Sequence, residues 1–285
     1  MTERIRFITD TTCDIPDAWL REYPIHVVPC YVNYGGESYA DDHVQLIRSE
    51  FYDKLLSIQP YPTTAAMSPG DAEQIMRAAL NEADHLIVVT VSSKLSAVYN
   101  AMRLAGDAAA PGRYTLIDSG SMTMGMGWPI IVAAQAAMRG EPVARVVDVL
   151  ERAKRAVRVY CGLETLEYVR RSGRVSWARA SIGALLQIKP IILFQDGEAK
   201  SIGRVRTFRR VIDELVRLTE AQTPLDRLAV LHANNPSGAA EVYERLKHIR
   251  PATTEIPVVN VTPVIGLNIG LGALGVATLN ESWRT

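Results

Sequence analysis

Four short β-branched runs, Ile5–Thr9, Val27–Val32, Leu86–Val91 and Tyr114–Ile117, alternate with helix-period segments through the first half of the chain, and that alternation admits few folds. Parallel strands covered by helices on both faces read as continuous apolar runs. The intervening segments carry helix signals. Ser68–Pro69 places an N-cap residue before a proline at the first helical position, and Ile75, Ala78 and Ala79 follow at helical spacing. Ser96–Ala108 and Pro129–Met138 read as further helices. Pro142 opens another, with Val143, Val146, Val147, Leu150 and Ala153 on one apolar face. The pattern predicts an α/β fold built on a parallel sheet flanked by helices.

The second half has a different grain. Val157–Leu163, Ile188–Phe194, Leu228–His232, Val258–Val261 and Ala273–Leu279 read as strands, with helices over Phe208–Glu220 and Gly238–Ile249. Asp196–Gly197 sits between two strand-like runs, which is a hairpin signal because both turn positions need positive φ. A hairpin implies antiparallel pairing, hence a mixed sheet. We therefore expect two domains, an α/β domain over 1–157 and an α+β domain over 158–285. A chain of 285 residues is long enough for either one large or two smaller cores.

Lys and Arg together number 31, as do Asp and Glu, so the formal net charge is zero. A nucleic-acid partner, which draws most of its affinity from phosphate neutralisation, is not indicated. Cys13, Cys30 and Cys161 are odd in number and form no CxxC pair, so neither a zinc site nor a disulfide framework is expected. Reduced thiols and the absence of an apolar run near Met1–Thr2–Glu3–Arg4–Ile5 point to the cytoplasm. The most apolar stretch, Met122–Met138, is broken by Gly125, Gly127, Pro129 and Gln135 and falls short of the ~20 apolar residues of a spanning helix. No transmembrane segment is expected, which leaves transient contact with a membrane surface as the only membrane association in view.

Three first-half strands end alike. They run into Thr9–Asp10–Thr11–Thr12, into Ser92–Ser93 with Ser96 three residues on, and into Asp118–Ser119–Gly120–Ser121. Ligands of open α/β sheets sit beyond the carboxyl ends of the strands, where hydroxyls and free amides can hold an anion. The same residue types are favoured as helix caps, so each loop taken alone reads as a cap. Catalysis finds less support. None of His26, His43, His85, His232 or His248 falls in these loops, and no Gly-x-Ser-x-Gly elbow is present. Gly270–Gly275 matches GxGxxG, but Val276–Leu279 reads as strand and only ten residues remain after Gly275, so a dinucleotide site is rejected in favour of a tight turn. There is no P-loop. Past the helical stretch ending at Gly173, Arg174 is placed to meet an acidic ligand or partner. No cofactor or metal is expected.

Together the ordered motifs resemble the DegV family of bacterial fatty-acid-binding proteins. The likeness runs from Thr9–Pro16 through Pro62–Thr63–Thr64, Val91–Ser96, Ile117–Asp118–Ser119, Leu163–Tyr168 with Gly173–Ser176, Ile188–Ile191, Arg204–Val205–Arg206 and Pro263–Gly266 with Gly270 and Gly272. It implies a two-domain fold whose buried apolar tunnel takes a long-chain fatty acid. It also implies that Thr64 and Ser93, with Thr63 and Ser92 as adjacent alternatives, bind the carboxylate; Ser96, Arg174, Arg206 and Asn268 complete the expected ring. Some relatives present the fatty acid to a separate ATP-dependent kinase subunit, so the protein is expected to be a carrier and not itself an enzyme. Asn268 stands where the family usually has histidine; it hydrogen-bonds but carries no positive charge near neutral pH. Met122, Met124, Met126, Trp128, Ile130 and Ile131 are candidates for the tunnel wall, or equally for ordinary core. A serine-dependent acyl ester hydrolase using Ser93 and a lipid-sensing regulatory protein are the alternatives.

Overall fold

The computed structural model describes residues 3–180, 188–251 and 255–285; Met1 and Thr2, the start of the amino-terminal stretch, lie outside them. Strands β1 (Ile5–Asp10), β2 (Ile25–Val28), β6 (His85–Thr90) and β7 (Tyr114–Asp118) form a parallel sheet in the order β2-β1-β6-β7. The expected Val27–Val32 strand is in fact two. After Pro29 and Cys30 the chain leaves this sheet, and β3 (Tyr31–Tyr34) pairs antiparallel with β4 (Glu37–Ala40) and β5 (Thr63–Ala65) in a small second sheet. The third sheet is mixed, in the order β10-β9-β8-β13-β11-β12. Its strands are β8 (Val157–Gly162), β9 (Lys189–Gln195), β10 (Glu198–Val205), β11 (Leu225–His232), β12 (Val258–Asn260) and β13 (Leu274–Asn280). The hairpin at Asp196–Gly197 has φ of 55° and 77°, as its sequence requires.

The two large sheets share one helical layer. On its outer face the parallel sheet packs Ile8, Val28, Leu86 and Val88 against α3 (Pro69–Ala79) and α4 (Val98–Ala109). Its inner face turns Phe7, Ile87 and Val89 toward α5 (Met124–Met138) and α6 (Val143–Ala156). The other side of α5 and α6 meets Val157, Val159, Ala277 and Leu279 of the mixed sheet. That sheet's far face packs Tyr160, Val230 and Val276 against α9 (Phe208–Glu220) and α10 (Pro236–Leu246). Five layers result. Alternate residues of each central strand face opposite layers, as the period-2 pleat demands.

This arrangement explains the most apolar segment. Twelve of the fifteen residues of α5 are buried, because a helix between two sheets has no solvent face. The helix begins at Met124, ahead of the Pro129 start expected from sequence, and holds Pro129 inside it. Gly125 and Gly127 are not breaks but close contacts: a Cβ on Gly125 would lie 2.3 Å from both Ser121 Oγ and Val159 Cγ2. Five of the six proposed tunnel residues, Met124 through Ile131, are core; Met122 alone reaches the cavity beyond the strand ends.

Short helices complete the chain: α1 (Asp17–Glu22), α2 (Arg48–Lys54), α7 (Glu167–Ser172), α8 (Ser176–Ala180) and α11 (Pro263–Ile269). The small sheet and α2 enclose Val32, Leu46, Phe51, Tyr52 and Leu55 and bury Leu267 of α11 beside them. Among the described residues no helix is long and apolar enough to cross a membrane.

Candidate functional site

Beyond the carboxyl ends of the parallel strands, the mixed sheet extends past α5 and leaves a gap. A cavity of about 310 Å³ fills it, at the lower end of the ~300–1,000 Å³ usual for small-molecule sites. One wall is the inner face of the mixed sheet, with Val159, Cys161, Ile192, Phe194 and Leu231; the other is Val91, Leu95 and Met122. Val264, Ile265 and Ile269 of α11 close it from above. The walls are overwhelmingly apolar, which suits a hydrocarbon chain.

Polar groups gather at one end, around Arg174. Its guanidinium is held by three neutral acceptors. Nε donates to Leu95 O at 3.0 Å, Nη1 to Asn268 Oδ1 at 2.6 Å, and Nη2 to Thr64 Oγ1 at 3.0 Å. Among the described residues no carboxylate pairs with it. Arg174 is exposed at the mouth yet partly desolvated, which lowers its pKa; a guanidinium starts so high that it remains cationic. The result is a fixed positive charge with spare donors beside an apolar cavity.

The expected ring divides clearly. Thr64, Ser96, Arg174 and Asn268 line the cavity; Thr63, Ser92, Ser93 and Arg206 do not. Thr63 and Thr64 are successive residues of β5, so they face opposite sides, and pairing of Thr64 with Val32 turns Thr64 inward. Thr63 is exposed. The Ser93 hydroxyl donates to Asp118 Oδ2 at 2.5 Å, and its backbone N–H also reaches that carboxylate. Ser92 is fully buried, with its Oγ accepting from Lys94 N. Arg206 is exposed, away from the cavity wall. The Ser96 Oγ accepts from Val98 N at 3.3 Å, leaving its own hydrogen for another acceptor.

The three hydroxyl-rich loops therefore serve mainly to bind one another. Asp10 is buried and accepts from Thr12 N and, at 2.9 Å, from Val91 N, tying the ends of β1 and β6. Ser92 N donates to Ser121 O at 2.9 Å. The Asp10–Thr12 bond is a helix cap, and the other two join separate loops. Asn268 acts through Arg174: its Nδ2 donates back to Val264 O at 2.7 Å, which orients Oδ1 toward the guanidinium. His232 also lines the cavity; its Nδ1 accepts from Asn235 N, and burial lowers its pKa, so it is neutral with the proton on Nε2. Ser93 makes no contact with it, so the serine-nucleophile reading lacks its base. Sequence reading overlooked the wall residues of β8, although alternation of Val157, Val159 and Cys161 marked that face.

A buried ionic cluster anchors α11, which carries Asn268. Asp14 Oδ1 accepts from Thr262 N at 2.9 Å and lies 3.1 Å from Arg48 Nη1, which also donates to Asn260 O at 2.7 Å. Asp41 accepts from Thr262 Oγ1, and Tyr52 Oη donates to Val261 O at 2.8 Å. Burial pushes the Asp14 carboxyl up to about 6 and that of Asp41 up to about 7, with Arg48 opposing both shifts. An acid whose pKa is raised on folding binds its proton more tightly in the native state, so its contribution to stability is lost as pH rises from about 4 through 7. Asp41→Asn removes one such group. The difference in melting temperature, variant minus wild type, is expected to become more positive between pH 5 and pH 8; a difference independent of pH would refute this account.

Comparison with known proteins agrees with the geometry. A family model described as "Uncharacterised protein, DegV family" matches residues 4–281. A DegV domain-containing protein of Clostridium acetobutylicum is 31% identical over 288 residues, covering 98% of this chain and 100% of its own. One from Listeria innocua is 29% identical, covering 96% and 98%. Among solved structures, a DegV family protein from Thermus thermophilus, described as fatty acid binding, superposes with a TM-score of 0.88 at 29% identity, covering 97% of this chain and 99% of that one. A DegV lipid-binding protein from Thermotoga maritima, at 24% identity and TM-score 0.86, shares the fold.

Proposed function

We propose a function from the premise that the chain belongs to the DegV family: it binds a long-chain fatty acid, with the acyl tail in the apolar cavity and the carboxylate at Arg174, Thr64 and Ser96. The observation that carries this reading is the guanidinium of Arg174, without a carboxylate partner among the described residues and fixed by Leu95, Thr64 and Asn268 at the mouth of an apolar cavity. Each buried methylene contributes about 0.8 kcal/mol, so the tail supplies most of the affinity and the head group sets orientation. A carboxylate leaving water needs charge-assisted hydrogen bonds, and the spare donors of Arg174 with the Ser96 hydroxyl provide them.

Native mass spectrometry of the purified protein, before and after lipid extraction, tests the proposal. A mass increment matching a fatty acid, lost on extraction and regained on adding free fatty acid, is expected. A chain that carries no lipid and takes up none after extraction would sink it.

The α/β unit over 1–157 and the α+β unit over 158–285 are the two domains of this carrier, with the cavity between their sheets. A carboxylate at an exposed mouth stays within reach of a separate ATP-dependent kinase subunit, so the protein acts as a carrier in the cytoplasm. The same loaded protein, mixed with such a subunit and ATP, yields acyl phosphate if presentation holds and unchanged fatty acid if it does not.

A further inference from the structure

The acyl cavity lies at the Gly162 end of β8; the other end of that strand opens on a cleft of about 450 Å³. Its lining includes Arg152 and Arg155 of α6, Arg158 of β8, Gln222, Asn280 and Trp283. Arg152 and Arg155 share a helix face by their i,i+3 spacing. Arg158 reaches the same cleft because the helix has by then given way to strand. We propose that this cleft binds a phosphate-class oxyanion.

Charge is the first ground. Among the described residues no Asp or Glu side chain lines the cleft, and Arg155 and Arg158 form no ion pair. The nearby acids are taken: Asp148 by Arg145 and Arg152, and Asp226 by Arg227 and Arg284. In a chain with zero formal net charge, this is a local excess of cations inside a concavity.

Preorganisation is the second. Arg158 Nη1 donates to the carbonyls of Arg155 and Val157, both at 2.7 Å, and Arg152 Nη1 donates to Arg284 O at 3.3 Å. Main-chain acceptors thus position both guanidinium groups; Arg152 is also paired with Asp148, whereas Arg158 has no carboxylate partner among the described residues. Little side-chain entropy remains to be lost on binding, and the planar fork suits paired oxygens of a tetrahedral anion. The guanidinium groups of Arg152 and Arg284 lie 6.0 Å and 5.0 Å from the Trp283 ring centroid, so this ring is already engaged by cations.

The phosphate oxygens can come from a free ion or from the head group of an anionic phospholipid, and two probes separate these. Pyrophosphate is titrated calorimetrically at low salt. Binding to vesicles of phosphatidylcholine, with and without phosphatidylglycerol, is followed by sedimentation. At least one probe is expected to bind, and which one names the source. Arg155→Ala with Arg158→Ala is expected to weaken that binding about tenfold or more. Arg204→Ala with Arg209→Ala, which removes equal charge from exposed arginines elsewhere, should change it less than about twofold. Failure of wild type to bind either probe, or equal losses in both double variants, overturns the proposal. If Arg158→Ala prevents folding, Arg155→Ala alone decides: weakened binding supports the site, and unchanged affinity overturns it. Fatty-acid loading is unaffected in either case, so this outcome is separable from that of the acyl site.

Discussion

Arg174→Ala is expected to weaken fatty-acid binding by about ten- to a hundredfold while leaving the fold intact. A hydrogen bond to a charged group is worth about 1.5–3 kcal/mol, and removing the guanidinium takes away the only cation among the expected ring residues that line the cavity. The side chain is exposed at the mouth, and its three acceptors can take water in its place, so thermal stability should scarcely change. Arg174→Lys is a sharper test. A single ammonium cannot span Leu95 O, Asn268 Oδ1 and Thr64 Oγ1 with the same planar geometry, so lysine should restore only part of the affinity. Displacement of a fluorescent fatty acid gives both numbers. Wild-type affinity in Arg174→Ala would mean that the carboxylate sits elsewhere.

The second large effect is on stability. Trp128→Ala is expected to cost about 3–5 kcal/mol, as for large aromatic side chains removed from packed cores. Trp128 is 1% exposed, its Nε1 donates to Ala277 O at 3.1 Å, and its ring centroid lies 5.6 Å from that of Trp19. It therefore joins α5 to the mixed sheet on one side and to α1 on another. The substitution leaves a void and removes the indole hydrogen bond to the Ala277 carbonyl. Trp128→Phe keeps most of the volume and should lose only about 1 kcal/mol beyond its packing change. Denaturant midpoints, read with an unchanged slope, measure the difference. A cost for alanine no larger than that of a surface substitution would contradict the shared helical layer.

Much of the architecture was legible in the sequence because it depends on local periodicity. The run Phe208–Glu220 reads and folds as one helix, Ser68 caps α3 by accepting from Asp71 N, and Asp196–Gly197 turns the β9–β10 hairpin. Gly270 and Gly272 do form a positive-φ turn, and a Cβ on Gly270 would lie 2.3 Å from Tyr168 Cδ2. In each case the residues that decide the structure lie within a few positions of one another. The fivefold layering was not legible. An all-round apolar helix such as α5 has the same appearance whether it lies between two sheets or lines a tunnel, and only the sheets' placement separates the two.

The site shows the same division more sharply. Its residue types, hydroxyls with arginine and asparagine, were present in the ordered motifs, and the family likeness singled out Thr64 and Ser93, with Arg174, Arg206 and Asn268 in an outer ring. Which hydroxyls face the cavity is different: Thr64 does, and Ser96 takes the place expected for Ser93. Ser93 and Ser96 stand three residues apart in one loop; Asp118, 25 positions away, draws Ser93 outward, while Ser96 meets the cavity. Thr63 and Thr64 have equal chemistry, and pairing with β3 selects one face. Arg174 joins Thr64 across 110 positions and Asn268 across 94.

The sequence by itself determined the kinds of element, their order, and the chemistry available beyond the strand ends, because helices, strands and turns are set by interactions between near neighbours. Tertiary structure alone decided which hydroxyls bind the protein to itself and which face the cavity. A hydroxyl or guanidinium is satisfied by whatever acceptor reaches it first, and that choice depends on partners brought close only when the sheets close around the cavity.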